Sequence, residues 1–204
     1  MNRTVWIFGG RIAASLVAVT VASAPVFASP DEKYEKFEIS ERNGSVVRTP
    51  LLLANAGFED GLEKWSTSPS DAKAYEFTAD TEVFRSGKQS VRIRSVAGEH
   101  GGAVYQVLPI AALRGKTIEL SGWLKTDDAT GAGAVLTLRV LGNDRLLEFN
   151  LMHNAPVKGT TDWKRYSIPV KVSKNASELE VGVTLNHKGT VWMDDIELNV
   201  VSHR

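Results

Sequence analysis

Cysteine is absent from the 204 residues, which excludes disulfides, thiolate metal sites and a cysteine nucleophile. An excess of charge is also lacking, because 24 Lys and Arg residues stand against 24 Asp and Glu residues. Without a basic excess, no long-range field draws the chain to nucleic acid or to an anionic membrane, so neither partner is predicted. The hydrophobic content of 43% is typical of a packed globular protein.

Recognisable catalytic motifs are lacking as well. The histidines have no H-x-x-x-H or H-x-H spacing, and no G-x-S-x-G motif is present. The glycines of residues 131–134 lack the third glycine and the following helix that dinucleotide binding requires. We therefore predict a protein that is not an enzyme. A small hydrolase stays open as an alternative, because two carboxylates for glycoside hydrolysis can always be chosen from 24 acids.

Residues 1–28 have the pattern of a secretory signal. Arg3 and Arg11 precede an apolar stretch that ends in small residues at Ala28. The stretch has about 17 residues and contains Pro25, so it falls short of the roughly 20 apolar residues that a membrane span prefers. We predict cleavage after Ala28, a periplasmic or secreted protein, and no membrane span in the mature chain. A membrane anchor is the competing interpretation.

The rest of the chain divides into a charged tail and one β domain. Residues 29–47 are rich in charge and are predicted to form a solvated tail or a short docking segment. In residues 48–204, short alternating runs are separated by Gly, Asn, Asp and Pro, which predicts an all-β fold, a two-sheet antiparallel β-sandwich of the jelly-roll type. The predicted strands are Arg48–Ala54, Ala74–Thr78, Ser90–Ser95, Gly102–Leu108, Thr117–Thr126, Ala134–Leu141, Arg145–Met152, Lys164–Val172, Glu178–Asn186 and Val191–Val201.

Strand alternation separates a core side from an outward side. In Thr117–Thr126, the alternation places Leu120 and Leu124 in the core and Trp123 on the opposite, polar side. In the following strand it places Arg139 on the polar side, and in Glu178–Asn186 it places Glu180 opposite the apolar Val181 and Val183. In Arg145–Met152, Leu147, Phe149 and Leu151 are predicted to face the core, opposite Glu148 and Asn150.

Three stretches of sequence resemble a known family. Asn55–Glu59 (NAGFE) is followed by Trp65 and then by Ser86–Ile93 (SGKQSVRI), and the chain closes with Val191–Leu198 (VWMDDIEL). This ordered set is similar to carbohydrate-binding modules with the galactose-binding-like jelly-roll fold. The resemblance implies that fold over Leu53–Val200. Sugar binding is a separate question, because this fold carries unrelated functions.

The resemblance also implies a structural calcium ion as cofactor. In such modules the Glu of the N-terminal turn and an Asp of the closing strand often meet at the ion, and the matching positions are Glu59 and Asp195. Carbonyl oxygens of the Phe84–Lys88 turn would complete the shell of six to eight oxygens that calcium takes. Asp60, Asp80 and Asp194 are reserve ligands. The alternative is that these acids cap backbone N–H groups at turns.

For a ligand site, we predict that Trp123 stacks on a glycan, with Arg139, Glu148 and Asn150 as hydrogen-bonding neighbours. An aromatic plane with a few fixed polar groups suits a sugar, which has an apolar face and a rim of hydroxyls. The other candidate tryptophans, Trp65, Trp163 and Trp192, are predicted to pack in the core.

Taken together, the sequence predicts an exported, non-catalytic binding module, with a glycan or a cell-surface polysaccharide as partner. A structural or protein-interaction β-sandwich without a sugar site is the main alternative, and a filled groove or a lack of exposed aromatic side chains would favour it.

Overall fold

The computed structural model describes residues 46–69, 74–97, 101–143 and 145–203. The predicted leader and nearly all of the predicted tail lie outside these residues. Within them, the regular structure consists of ten strands and one short 3-10 turn at Ala111–Leu113. No helix among the described residues is long and apolar enough to cross a membrane.

All strand pairs are antiparallel, and the strands alternate in burial as the sequence pattern predicts. The strands are β1 (Val46–Leu51), β2 (Ser66–Ser68), β3 (Tyr75–Asp80), β4 (Ser90–Ser95), β5 (Gly101–Pro109), β6 (Thr117–Gly142), β7 (Arg145–Asn150), β8 (Val157–Lys171), β9 (Glu178–Asn186) and β10 (Thr190–His203). Two of the predicted strands are therefore the two halves of β6, and the short strand β2 was not predicted.

Two sheets are formed, and β6 belongs to both of them. The first sheet has the order β3-β4-β10-β6-β8, with β1 paired to the end of β10. The second sheet has the order β2-β5-β9-β6-β7. Residues 117–127 of β6 pair with β10, and residues 133–141 pair with β9. The predicted two-sheet jelly-roll sandwich is confirmed.

The core lies between the two sheets. Leu120 and Leu124 from the first half of β6, and Leu136 and Leu138 from its second half, are fully buried there. Each such side chain contributes about 1.5–3 kcal/mol by its burial, so a one-residue slip of register would be strongly unfavourable. Since both halves of β6 turn their apolar side chains inward, their outward side chains point away from each other, on opposite sides of the sandwich.

A bulge between β6 and β7 changes which side chains of β7 face outward. The register shifts between Val140 and Leu141, and β7 accommodates one extra residue there. Phe149 pairs with the outward Arg139 and is 52% exposed, so its predicted place in the core is wrong. Glu148 pairs with the fully buried Val140 and therefore lies on the core side, at the edge of the sheet. The extra residue resets the alternation, which the sequence pattern does not reveal.

A second irregularity lies in β10, where the register shifts between Asp194 and Glu197. Before the shift Met193 is fully buried, and after it Ile196 is buried. Trp192 therefore points outward and is half-buried, so the prediction that it packs with Ile196 in the core is wrong. Trp163 is also only half-buried, whereas Trp65 lies in the core as predicted.

Candidate functional site

The outward face of the second sheet carries a row of four side chains that crosses β5, β9, β6 and β7. Val107 pairs with Glu180, Glu180 with Arg139, and Arg139 with Phe149. Directly paired residues of an antiparallel sheet point to the same side, so the four side chains lie next to one another. Val107 and Phe149, at the two ends of the row, are 48% and 52% exposed. We call this surface the Phe149 face.

A polar ion pair lies between these apolar ends. The Nη1 of Arg139 donates a hydrogen bond of 2.9 Å to the Oε1 of Glu180. Within the described chain this is the one hydrogen bond of the Arg139 guanidinium, so its other N–H groups are open to a ligand. The pair is electrically neutral and offers both donors and acceptors at the sheet surface.

A parallel row of the same face contains Ser66, Tyr105, Gly182 and Thr137. The backbone of β5 approaches Gly182 closely, because a Cβ added there would lie 2.2 Å from the carbonyl oxygen of Val104. Only glycine fits, and Gly182 is itself buried against Val104 and Tyr105. The Phe149 face therefore has two aromatic side chains, a hydroxyl of β2 and an ion pair on one open surface.

A separate cleft of about 490 Å³ lies on the outward side of the first sheet. We call it the Trp123 cleft. Its polar and aromatic lining consists of Arg85, Trp123, Arg165, Asp195 and Glu197. The Cζ of Arg85 lies 4.2 Å from the ring centroid of Trp123, so the guanidinium covers one face of the indole.

Both arginines of this cleft are paired with carboxylates. The Nη1 of Arg85 donates to the Oδ2 of Asp195 at 2.7 Å. The Nη2 of Arg165 donates to the Oε2 of Glu197 and to the Oγ of Ser121, each at 2.8 Å. The lining of the cleft is thus charge-balanced.

Beside the Trp123 cleft, three carboxylates hold the turn that carries Arg85. Asp194 accepts hydrogen bonds from the backbone N–H groups of Arg85 and Ser86, and Glu59 accepts one from the N–H of Lys88. Asp195 accepts a bond of 2.8 Å from the hydroxyl of Ser86. Burial raises the pKa of the Asp194 carboxyl, and the neighbouring charge of Asp195 adds to that effect, while the two backbone N–H groups oppose it.

The predicted calcium ligands Glu59 and Asp195 thus contact one turn from two sides. A Cβ on Gly87 would meet the Glu59 carboxylate, so the glycine leaves room for it. In the part of the chain that the structure describes, no three His, Cys, Asp or Glu side chains are grouped to hold a metal ion. The two carboxylates fit calcium in their chemistry, and the remaining ligands would have to be carbonyl, hydroxyl or water oxygens. The calcium site stays a prediction.

The four predicted glycan ligands do not lie together. Trp123 lies outward on the first sheet and Arg139 outward on the second, on opposite sides of the sandwich. The Oε2 of Glu148 accepts a bond of 3.3 Å from the N–H of Ser173. The Nδ2 of Asn150 donates one of 3.0 Å to the carbonyl of Pro169, which joins the edges of β7 and β8.

The residues that do lie next to Arg139 on this face are Glu180 and Phe149, and sequence reasoning did not select them. The alternation of β9 placed Glu180 on the outward side correctly. Alternation alone does not show that β9 pairs with β6, and that pairing is what makes Glu180 the partner of Arg139. Phe149 gave no such signal, since a large apolar residue in an alternating strand is usually buried.

Comparisons with known proteins agree with this architecture. A curated relative, the uncharacterised HTH-type transcriptional regulator YbfP of Bacillus subtilis (strain 168), is 32% identical over 142 residues, which are 68% of this chain and 48% of that protein. The chain therefore spans about half the length of this relative.

Two solved structures share the fold. The CBM22-1 xylan-binding domain of Xyn10C from Paenibacillus barcinonensis has a TM-score of 0.54 and 17% identity, over 73% of this chain and 94% of that one. A Stig cyclase, Fisc, from Fischerella sp. TAU has a TM-score of 0.57 and 12% identity, over 76% of this chain and 98% of that one. At these identities the likeness concerns the fold, which hosts both binding modules and an enzyme.

The family itself is shown by the sequence. The family model described as a carbohydrate binding domain matches residues 51–190, which include the whole second sheet and the Phe149 face but end at the first residue of β10, before Asp195 and Glu197 of the Trp123 cleft. The chain belongs to this carbohydrate binding domain family.

Proposed function

We propose that this protein is an exported, non-catalytic module that binds a neutral polysaccharide on the Phe149 face. The observation that carries the proposal is one outward sheet surface on which Phe149 lies beside the Arg139–Glu180 ion pair and Tyr105 lies in the neighbouring row of side chains. Membership of the carbohydrate binding domain family supports the ligand class.

The chemistry of the face suits a glycan chain. Tyr105 and Phe149 are three strand spacings apart, which is about 14 Å across the sheet, the length of a short oligosaccharide. Exposed rings pack against the C–H faces of sugar rings, while Arg139 and Glu180 donate to and accept from hydroxyls. Because the ion pair is neutral, the face has no charge preference for an acidic polysaccharide.

A neutral glycan is also what one structural relative is named for, since the domain from Paenibacillus barcinonensis binds xylan. The identity of 17% is too low to transfer that substrate, so xylan is one candidate among neutral polysaccharides. The choice of glycan therefore has to be made by a binding screen.

The test is a binding screen of residues 29–204 against immobilised neutral and acidic polysaccharides, followed by titration with the best soluble ligand. Phe149→Ala should weaken binding about 2- to 13-fold, the equivalent of the 0.5–1.5 kcal/mol that an aromatic contact contributes. Stability should change little, because the ring is half-exposed. Leu52→Ala is the matched control, because Leu52 is 45% exposed and lies in the loop after β1, outside the Phe149 face.

The alternative function is a protein-interaction module, and the exposed Val107, Leu146 and Phe149 are the observation that favours it. Apolar side chains on an open sheet surface also suit a protein partner. The protein-interaction alternative would be favoured if Phe149→Ala and Tyr105→Ala both bind glycan as well as wild type. It would also be favoured if the wild-type protein binds no polysaccharide.

A further inference from the structure

We propose that the Trp123 cleft is a second, independent binding site for a neutral sugar unit, on the side of the sandwich opposite the Phe149 face. The inference goes beyond the proposed function, because it rests on a different sheet and on different residues. It implies that one copy of the domain can hold two glycan chains at once.

The cleft is formed by an irregularity of the backbone in β10. The register with β6 shifts between Asp194 and Glu197, and the N–H of Ile196 bonds to the carbonyl of Ala56 in the N-terminal turn instead. Asp195 has a φ of 47°, a left-handed conformation that is unfavourable for most residues other than glycine. The shift places Asp195, Ile196 and Glu197 together in the lining of the cleft. Bulges of this kind often redirect side chains at functional sites.

An unused hydrogen-bond donor faces this cleft. The indole N–H groups of Trp65 and Trp192 donate to the carbonyl of Asn55 and to Asp80, at 3.0 and 2.8 Å. The indole N–H of Trp123 has no hydrogen bond within the described chain, and it is not among the buried unpaired polar atoms of that part. The N–H is therefore accessible to solvent, and because Trp123 lines the cleft it can donate to a ligand there.

The charges of the lining select the ligand class. Arg85 donates through Nη1 to Asp195, and Arg165 donates through Nη2 to Glu197 and to the Oγ of Ser121. The Nε and the other Nη of each arginine make no hydrogen bond within the described residues. The carboxylates of Asp195 and Glu197 keep acceptor capacity as well. The cleft lining thus offers both hydrogen-bond donors and acceptors, and its net charge is zero. Such a lining suits sugar hydroxyl groups, which both donate and accept. Because the charges cancel, the cleft offers no net positive charge to an anionic sugar.

Size and shape agree with a single sugar unit or a short segment. The volume of about 490 Å³ lies within the 300–1,000 Å³ that is usual for small-molecule sites. Because Arg85 covers one face of the Trp123 indole, hydrogen bonds rather than ring stacking should dominate the affinity. This distinguishes the cleft from the Phe149 face, where the Phe149 ring is 52% exposed and no guanidinium of the described chain lies over it.

The experiment is calorimetric titration of residues 29–204 with xylohexaose, cellohexaose and mannohexaose. We expect two binding events per chain with at least one of them. Trp123→Phe keeps an aromatic ring beneath Arg85 but removes the N–H donor, and Arg165→Gln removes a charged donor. In the double variant, the affinity of one binding event should fall at least tenfold, whereas the other event should keep its wild-type affinity. Trp163→Ala is the matched control, since Trp163 is a half-buried tryptophan outside the cleft lining.

The outcomes separate this inference from the proposed function. If the cleft variants bind as wild type while Phe149→Ala weakens a single binding event, the second site is overturned and the Phe149 face stands. If the cleft variants abolish all binding and Phe149→Ala has no effect, the cleft is the glycan site and the proposed Phe149 face falls. One event or none with all three hexasaccharides also overturns the second site. Melting temperatures of every variant show whether a loss reflects unfolding.

Bridging gives an independent readout. When wild-type protein is mixed with a soluble polysaccharide that it binds, each protein molecule with both sites occupied links two polysaccharide chains. Light scattering should therefore rise. The cleft double variant should bind glycan yet fail to cross-link it, and Phe149→Ala, which weakens the other site, should cross-link less than wild type. Scattering that persists in the cleft double variant would contradict the second site.

Discussion

The indole N–H of Trp192 donates a hydrogen bond of 2.8 Å to the Oδ2 of Asp80. Trp192 lies on β10 and Asp80 at the end of β3, with β4 between them. The Oδ1 of Asp80 also accepts the N–H groups of Glu82 and Val83, each at 3.0 Å. One carboxylate therefore ties the closing strand to the beginning of the turn that carries Arg85.

Removal of this hydrogen bond should lower stability. Trp192→Phe keeps an aromatic ring but leaves the nearly buried Oδ2 of Asp80 without its indole donor, which should cost about 1–3 kcal/mol of the free energy of unfolding. Urea unfolding at neutral pH measures the change. Trp163→Phe is the control and should stay within about 0.5 kcal/mol, because the Trp163 indole makes no hydrogen bond within the described chain. Equal losses in both variants would contradict the role of this bond.

The same carboxylate predicts a dependence of stability on pH. Burial acts to raise the pKa of Asp80, but hydrogen bonds from Trp192, Val83 and Glu82, with the charge of Arg92, hold it below its ordinary value. A folded-state pKa below the unfolded one means that ionised Asp80 stabilises the fold above about pH 4, and that this contribution is lost as the pH falls through the folded value. Asp80→Asn should therefore be less stable than wild type at pH 7. The difference should shrink below pH 4, and an unchanged difference at pH 3 would refute the assignment.

Calcium should stabilise the protein if Glu59 and Asp195 hold it. An ion that binds only the native state adds about 2.7 kcal/mol at a hundredfold excess over Kd. Thermal melts with calcium and with a chelator should differ in wild type and coincide in Asp195→Ala. Arg85→Gln removes the cation that now pairs with Asp195, so it should bind calcium more tightly than wild type. Identical melting curves in calcium and in chelator would contradict the calcium site. Glu59 and Asp195 would then serve only as hydrogen-bond acceptors for the turn that carries Arg85.

Gly182 should be sensitive to the smallest substitution. In Gly182→Ala the new Cβ would lie 2.2 Å from a backbone oxygen of β5, so the strands must separate. We expect a loss of about 1–3 kcal/mol, as for other overpacked sites, together with weaker glycan binding because Tyr105 moves. Gly57→Ala is the control for stability, since its Cβ would meet only an oxygen of Asp195 at 3.8 Å.

Export is tested on the N-terminus. Mass spectrometry of protein recovered from the periplasm or the medium should show a chain that begins at Ser29. An intact Met1 in a membrane-associated protein would contradict both the localisation and the limits of the predicted leader.

Alternation along unbroken strands was sufficient to orient many side chains. Trp123 lies outward and Leu124 inward, as the pattern of β6 predicts, because a strand in regular register must alternate. The outward position of Glu180 in β9 was predicted on the same grounds. The two-sheet class followed from the number of short strands and their turn residues.

What the pattern could not supply was the position of irregularities and long-range pairs. The bulge opposite Val140 exposes Phe149, and the shift after Asp194 turns Trp192 outward, yet neither leaves a mark in local composition. The contact of Arg85 with Trp123 joins residues that are distant in sequence, and it depends on the packing of the whole first sheet. Apolarity alone also does not distinguish a core side chain from one on a binding surface.

The continuity of β6 has a mechanical consequence. Trp123 and Arg139 project to opposite sides of the sandwich from a single unbroken strand. Tension between objects held at the two surfaces runs through the covalent backbone of that strand, whereas in a sandwich of two unconnected sheets it would pull directly on the side-chain packing between them. If both proposed sites hold a glycan, the resistance of the domain to being pulled apart would therefore not depend on its hydrophobic core alone.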